Sequence, residues 1–438
     1  MLAPMKRLAL LAAFALIPLS PAWSQPADDA VVVVDAPPPP DAAPPGSPAE
    51  PVPPTVDTVS LQPVESTVLA APDAFTTPGR VTGLPQDLWR GASVETAKAV
   101  LPLLAAKPVS QASAQLARRV LATGATGPQG SLDAPGLAGD RAAALMALGD
   151  VTAAKAILNT SPGLDRSSDL SRAAAEAALL SGDDARACAI ADALGVGRDE
   201  VYWVRLRAFC LAEAGKGPQA QLTFELAQSQ ARDVIFARLM GAKLGGGDAG
   251  PASLRNGLDY ALSRSLNLDL TTAERSPAVA AALSGQDAAG PAWQIPQNEF
   301  ADIANALVSN VSPPPGALER LVAAAEAADA RIARPRLASA VLLLFALQPD
   351  AEPGLRARIA GLGGVEGRAP QARTLAMEWA AQQRMMGETA LLALATSLDA
   401  GPVGPPVGDR VRIVRALHLA GLEADARAFA LEGLLALK

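Results

Sequence analysis

RAAALMALGDVTAAKAIL, Arg141 to Leu158, is an apolar run broken once, at Gly149-Asp150, and then resumed. Further on, RAAAEAALLSGDDARACAIADAL, Arg172 to Leu194, does the same around Gly182-Asp183. Apolar residues three, four and seven apart share one helix face, so each stretch reads as helix, tight turn, helix. A third copy surrounds Gly215, and the three glycines stand 33 residues apart. Five residues after each glycine comes an alanine (Ala154, Ala187, Ala220), and seven before comes another (Ala142, Ala175, Ala208). Four before lie Leu145, Ala178 and Leu211. Glycine supplies the backbone freedom of a turn, Asp150 and Asp183 suit a helix N-cap, and matched alanines let paired helix backbones approach closely.

The pattern returns around Gly387 and Gly421, 34 residues apart, with Ala380 before the first and Ala426 and Phe429 after the second. Leu392 stands where an alanine is expected, and between Gly215 and Gly387 the register blurs. The units resemble the tetratricopeptide repeat, a helix–turn–helix of about 34 residues with small residues at these offsets. The resemblance covers Arg141 to Gln228 and Met377 to Lys438. It implies an α-solenoid, in which each hairpin is the next one's apolar partner and the stack presents a concave face. Composition agrees on class: half the residues are hydrophobic but only 3% are aromatic, and alanine dominates. The expected fold is all-α.

Ahead of the helices, Lys6 and Arg7, an apolar core from Leu8 to Ile17, Pro18 and the closing Ala22-Trp23-Ser24 read as a secretory signal peptide over residues 1–24. Its core is short against the roughly 20 residues of a membrane span. Cleavage after Ser24 and a periplasmic or secreted location are expected. Residues 25–84 form a proline-rich, disordered linker in this reading, with Pro37 to Pro40 consecutive. It serves either as a spacer or as a docking peptide in polyproline II form. A first repeat lobe is expected over 85–283, an irregular hinge holding Trp293 over 284–300, and a second helical lobe over 301–438. Leu337 to Leu347 is the most apolar segment; its length suits a core helix, so the mature chain is expected to have no integral membrane span.

The net charge of −7 and the absence of a basic cluster argue against nucleic acid. The single histidine, His418, sits on a helical pattern and reads as structural. No nucleophile elbow, zinc-protease helix, phosphate loop or C-x-x-C occurs, so no catalytic, metal or cofactor residue is assigned. Gly245-Gly246-Gly247 reads as a loop, and Asp183-Asp184 as helix-start acids or a cation site. Tyr202, Trp203, Arg205 and Arg207 form either an arginine–aromatic face for an acidic peptide or a core with solvated arginines. Cys188 and Cys210 fall on neighbouring helices of adjacent units, either bridged or as buried small hydrophobes. The expected function is a non-enzymatic scaffold that binds a protein or peptide partner of the cell envelope. The alternatives are a protein associated with peptidoglycan or envelope enzymes, and a self-assembling structural element.

Overall fold

A computed structural model describes residues 75–437 apart from 135, 162, 285–289, 330 and 349. The expected signal peptide and linker up to residue 74, and part of the expected hinge, lie outside the described residues. The regular structure described is helical, with only isolated bridges at Ser93–Gln129 and Leu254–Arg275. Helices α1 (Val94–Ala106) and α2 (Gln111–Ala122) come first. Three hairpins follow: α3 (Gly136–Ala147) with α4 (Val151–Thr160), α5 (Ser168–Leu180) with α6 (Asp184–Ala193), and α7 (Val201–Glu213) with α8 (Gly217–Gln230). Then come α9 (Val234–Gly245), α10 (Gly257–Ser265), α11 (Pro277–Ser284) and α12 (Ala301–Val308). The last third holds α13 (Ala317–Ala327), α14 (Ala333–Leu347), α15 (Pro353–Gly361), α16 (Gln371–Gln382), α17 (Met386–Leu398), α18 (Val407–Ala420) and α19 (Glu423–Leu435).

The turns are chemically uniform. Gly149, Gly182, Gly215 and Gly421 take φ values of 75°, 78°, 69° and 88°. In each case the next residue's N–H returns to a carbonyl five residues back: Asp150 to Leu145, Asp183 to Ala178, Lys216 to Leu211, Leu422 to Leu417. That pairing satisfies the carbonyls a helix end leaves open, and it needs a left-handed residue. Gly387 departs from expectation. It lies in the first turn of α17, outside the left-handed region, and the same turn is closed by Arg384 at φ 54°, with Met385 N–H on Ala380 O. Gly387 is needed for a different reason: its N–H donates to Leu88 O, and a Cβ would fall 2.6 Å from the Trp89 ring. Asn267 and Asn310, at φ 53° and 55°, close further turns of the same kind. Asparagine tolerates this conformation better than most residues with a side chain.

The matched alanines are all buried. Ala142, Ala175, Ala208, Ala154, Ala187 and Ala220 are each fully inaccessible. Helices this close leave no room for an added methylene without strain. Leu337 to Leu347 forms most of α14, with Val341, Leu343 and Leu344 buried, and no helix among the described residues is long and apolar enough to cross a membrane.

Packing does not follow chain order. Helices α1 and α2 lie against α3 on one side and against α17 and α19 on the other. The segment leading into α1 is part of this joint. Phe75 is fully buried, edge-on to Trp89 with ring centroids 4.9 Å apart, and the Arg141 guanidinium lies over its ring. The segment from Phe75 to Leu84, which the sequence reading placed in the linker, is thus anchored to the core by a large buried ring. One core runs from Phe75 to Leu434; a second, from Ala175 to Leu262, joins α5 to α10.

Candidate binding groove

The first helices of the three hairpins turn one face each towards a shared depression. From α3 these are Gly139, Asp140, Ala143, Met146 and Ala147; from α5, Asp169, Arg172, Ala173, Glu176 and Leu180; from α7, Val201, Tyr202 and Arg205. These spacings of one, three, four and seven are those of a single helix face. The end of α1 and the loop after it close one rim through Leu104 and Val109, and the starts of α9, α10 and α11 close the other. The enclosed volume is about 1110 Å³. The α1–α3 side is mostly apolar, and the α7–α10 side is charged.

At the charged end, carboxylates cap helices and hold arginines. Asp233 accepts from Ile235 and Phe236 N–H at the start of α9, from Arg205 at 3.3 Å and from Arg255 at 3.1 Å. Burial opposes its charge, but the Phe236 N–H and the two guanidiniums outweigh burial and hold it below the usual carboxylate range. Asp259 accepts from Arg255 Nε at 2.6 Å and from Ser253 Oγ at 2.7 Å. Glu176 accepts from Gly257 N–H at 2.6 Å, at the start of α10. Its carboxyl is pushed up by burial, against the Gly257 bond and the Arg172 charge. Tyr202 lies beside it, and burial and then the Glu176 charge drive the phenol well above its ordinary value. Arg172 lies over the Tyr202 ring, 4.7 Å from its centroid.

The other carboxyl pair has a backbone cause. A Cβ on Gly139 would come within 2.8 Å of Asp169 C and Leu170 N, so only glycine lets the start of α5 touch α3. That contact sets Asp140 beside Asp169. Burial, and then the Asp169 charge, raise the Asp140 carboxyl to about 6. Neither has an ion-pair or hydrogen-bond partner among the described residues.

The residues singled out from the sequence divide. Tyr202 and Arg205 line the groove. Trp203 is buried in the core, its indole N–H on Ser168 Oγ, and Arg207 turns away to the carbonyls of Trp203 and Arg198. Cys188 on α6 and Cys210 on α7 are joined as a disulfide, Cα atoms 5.6 Å apart. Asp183 caps α6 through Arg186 N–H, and Asp184 pairs with Arg264 at 2.7 Å. His418 Nδ1 lies 2.8 Å from Glu423 Oε1. Gly246 ends α9 in the left-handed region. Among the described residues no group of three or more histidine, cysteine or acidic side chains is placed to hold a metal ion. Asp140, Asp169, Arg172 and Glu176 escaped sequence reasoning, although the i, i+3, i+7 spacing of the last three on one helix was a readable sign that they share a face.

Comparison with family models, curated proteins and solved structures finds no match for this chain.

Proposed function

We propose that the chain is an exported, non-enzymatic scaffold, a tetratricopeptide-like α-solenoid that binds a peptide or protein segment of the cell envelope in the groove along α3, α5 and α7. One observation carries the reading: the first helix of each hairpin gives a continuous face to one depression, as a repeat stack does on its concave side. Its volume, about 1110 Å³, is above the roughly 300–1,000 Å³ of small-molecule sites and suits a segment of chain. The Cys188–Cys210 disulfide supports an oxidising compartment, in keeping with the signal-like start of the sequence.

The test places a photo-crosslinking residue at Ala143, half-buried in the groove wall, or at Leu222, exposed on α8 away from it. Adducts with envelope proteins are expected at position 143 and not at 222. They should disappear when Ala147→Trp fills the floor. Equal labelling from both positions would reject the groove as the binding face.

A further inference from the structure

The Cys188–Cys210 disulfide joins two helices that are very unequally held. Helix α7 buries Trp203, Val204, Leu206, Ala208 and Phe209 in the second core, and its Trp203 indole N–H donates to Ser168 Oγ at 2.9 Å. The buried residues of α6 are Ala187 and Ala191, with Ile190 half-covered. A methyl is the smallest apolar anchor, and a helix of ten residues does not persist in water unsupported. Two polar ties of α6 lie near its start and are open to water: Asp184 with Arg264 at 2.7 Å, and Arg186 with Asn159 at 3.1 Å. Pairs so placed add little. Glycines flank the helix, Gly182 at φ 78° before it and Gly195 and Gly197, the latter at φ 63°, after it. Backbone of this kind can absorb the swing of α6 as one body, while buried Leu194 holds the far end.

Both cysteines are half-buried, so a thiolate can reach the bridge. They are the only two in the chain, so within it the opened pair can close again only on itself. We propose that the disulfide is a redox latch: its reduction releases α6 as a flap and uncovers the faces of α5 and α7 on which that helix packs. The latch stands whether or not the groove is the binding face. The co-reactant is a dithiol. Its thiolate attacks Sγ of Cys188, on the loosely held helix, the sulfur–sulfur bond breaks, and Cys210 leaves as a thiolate that takes up a proton. The second thiol of the reductant, giving up its proton, then displaces Cys188 from the mixed disulfide. Two electrons and two protons have passed to the chain, and the reductant ends as a disulfide.

The test treats the folded full chain with dithiothreitol, counts the released thiols by alkylation and follows hydrogen exchange by mass spectrometry. Below the thermal transition both cysteines should become alkylated, and exchange in α6 should quicken about tenfold or more, well beyond any change in α7 and α8. Reoxidation should restore the protection of α6. Cys188→Ala with Cys210→Ala should exchange in α6 at the reduced rate with no reductant present. A bridge that dithiothreitol leaves intact in the folded chain would overturn the latch. So would equal acceleration of α6, α7 and α8, which would make the bond a staple of the whole second core, or a reoxidised chain whose α6 stays unprotected.

Discussion

Arg119 on α2 donates to Asp425 on α19, an ion pair between residues 306 positions apart that ties the first helices to the last. Asp425 is fully buried and Arg119 a quarter exposed. Burial pushes the carboxyl up, and only Arg119 and hydrogen bonding oppose it. The same seam carries Ala112 N–H on Glu432, and Ser93 N–H and Thr96 Oγ1 on Glu388. Arg119→Ala would strand a buried charge and is expected to cost about 3 kcal/mol in chemical denaturation. Arg119→Leu with Asp425→Leu should recover most of it. A double variant no better than Arg119→Ala alone would show that the pair is not what holds the joint.

The Cys188–Cys210 bridge closes a loop with a sequence separation of 22 between α6 and α7. Cys188→Ser with Cys210→Ser is expected to lower stability by about 3 kcal/mol. Hydrogen exchange should quicken in α6, α7 and α8, whose second core the bridge borders, and stay unchanged in α18 and α19. Uniform acceleration across the chain would contradict that local effect.

Arg384 occupies a left-handed turn position that glycine fills in four equivalent places. Arg384→Gly should therefore stabilise the protein by about 1 kcal/mol, and Gly421→Ala should destabilise it by a similar amount. Thermal melts of the two variants should shift in opposite directions.

Asp140 makes a pH-dependent contribution of definite sign. Its carboxyl is raised from 3.8 to about 6 in the folded chain, so the folded state holds the proton more tightly than the unfolded one. Its contribution to stability is fully present below pH 3.8 and is lost as pH rises through about 6. Asp140→Asn should raise the melting temperature at pH 7.5 by about 2 °C, a modest figure because the side chain is only half enclosed. The gain should vanish below pH 4. A gain of equal size at both pH values would show that charge is not its origin.

Much of the local structure was legible because it has local causes. The turn glycines at 149, 182, 215 and 421, and the alanines on either side, are demanded by backbone geometry and close packing within one hairpin. Arg384, Asn267 and Asn310 make the same turn without glycine, so a search for that residue type passed over them and assigned Gly387 to a turn it does not make. The groove was half legible. Tyr202 and Arg205 stood out as an aromatic and a cation together, whereas Asp140 and Asp169 are 29 positions apart and become neighbours only through the Gly139 contact.

The sequence by itself determined the helical class, the hairpins and their turns, and the nearness of Cys188 to Cys210, because period, glycine placement and small-residue register act over a few turns of chain. Only the tertiary structure decided that α1 and α2 pack against α17 and α19, that Phe75 belongs to the core, and that Arg205 and Arg255 meet Asp233 and Asp259 while Asp140 is set beside Asp169. The reason is physical. Helix propensity and capping are settled among near neighbours, but which apolar faces find one another, and which buried charges find a counter-ion, depends on surfaces that meet only when distant parts of the chain have packed.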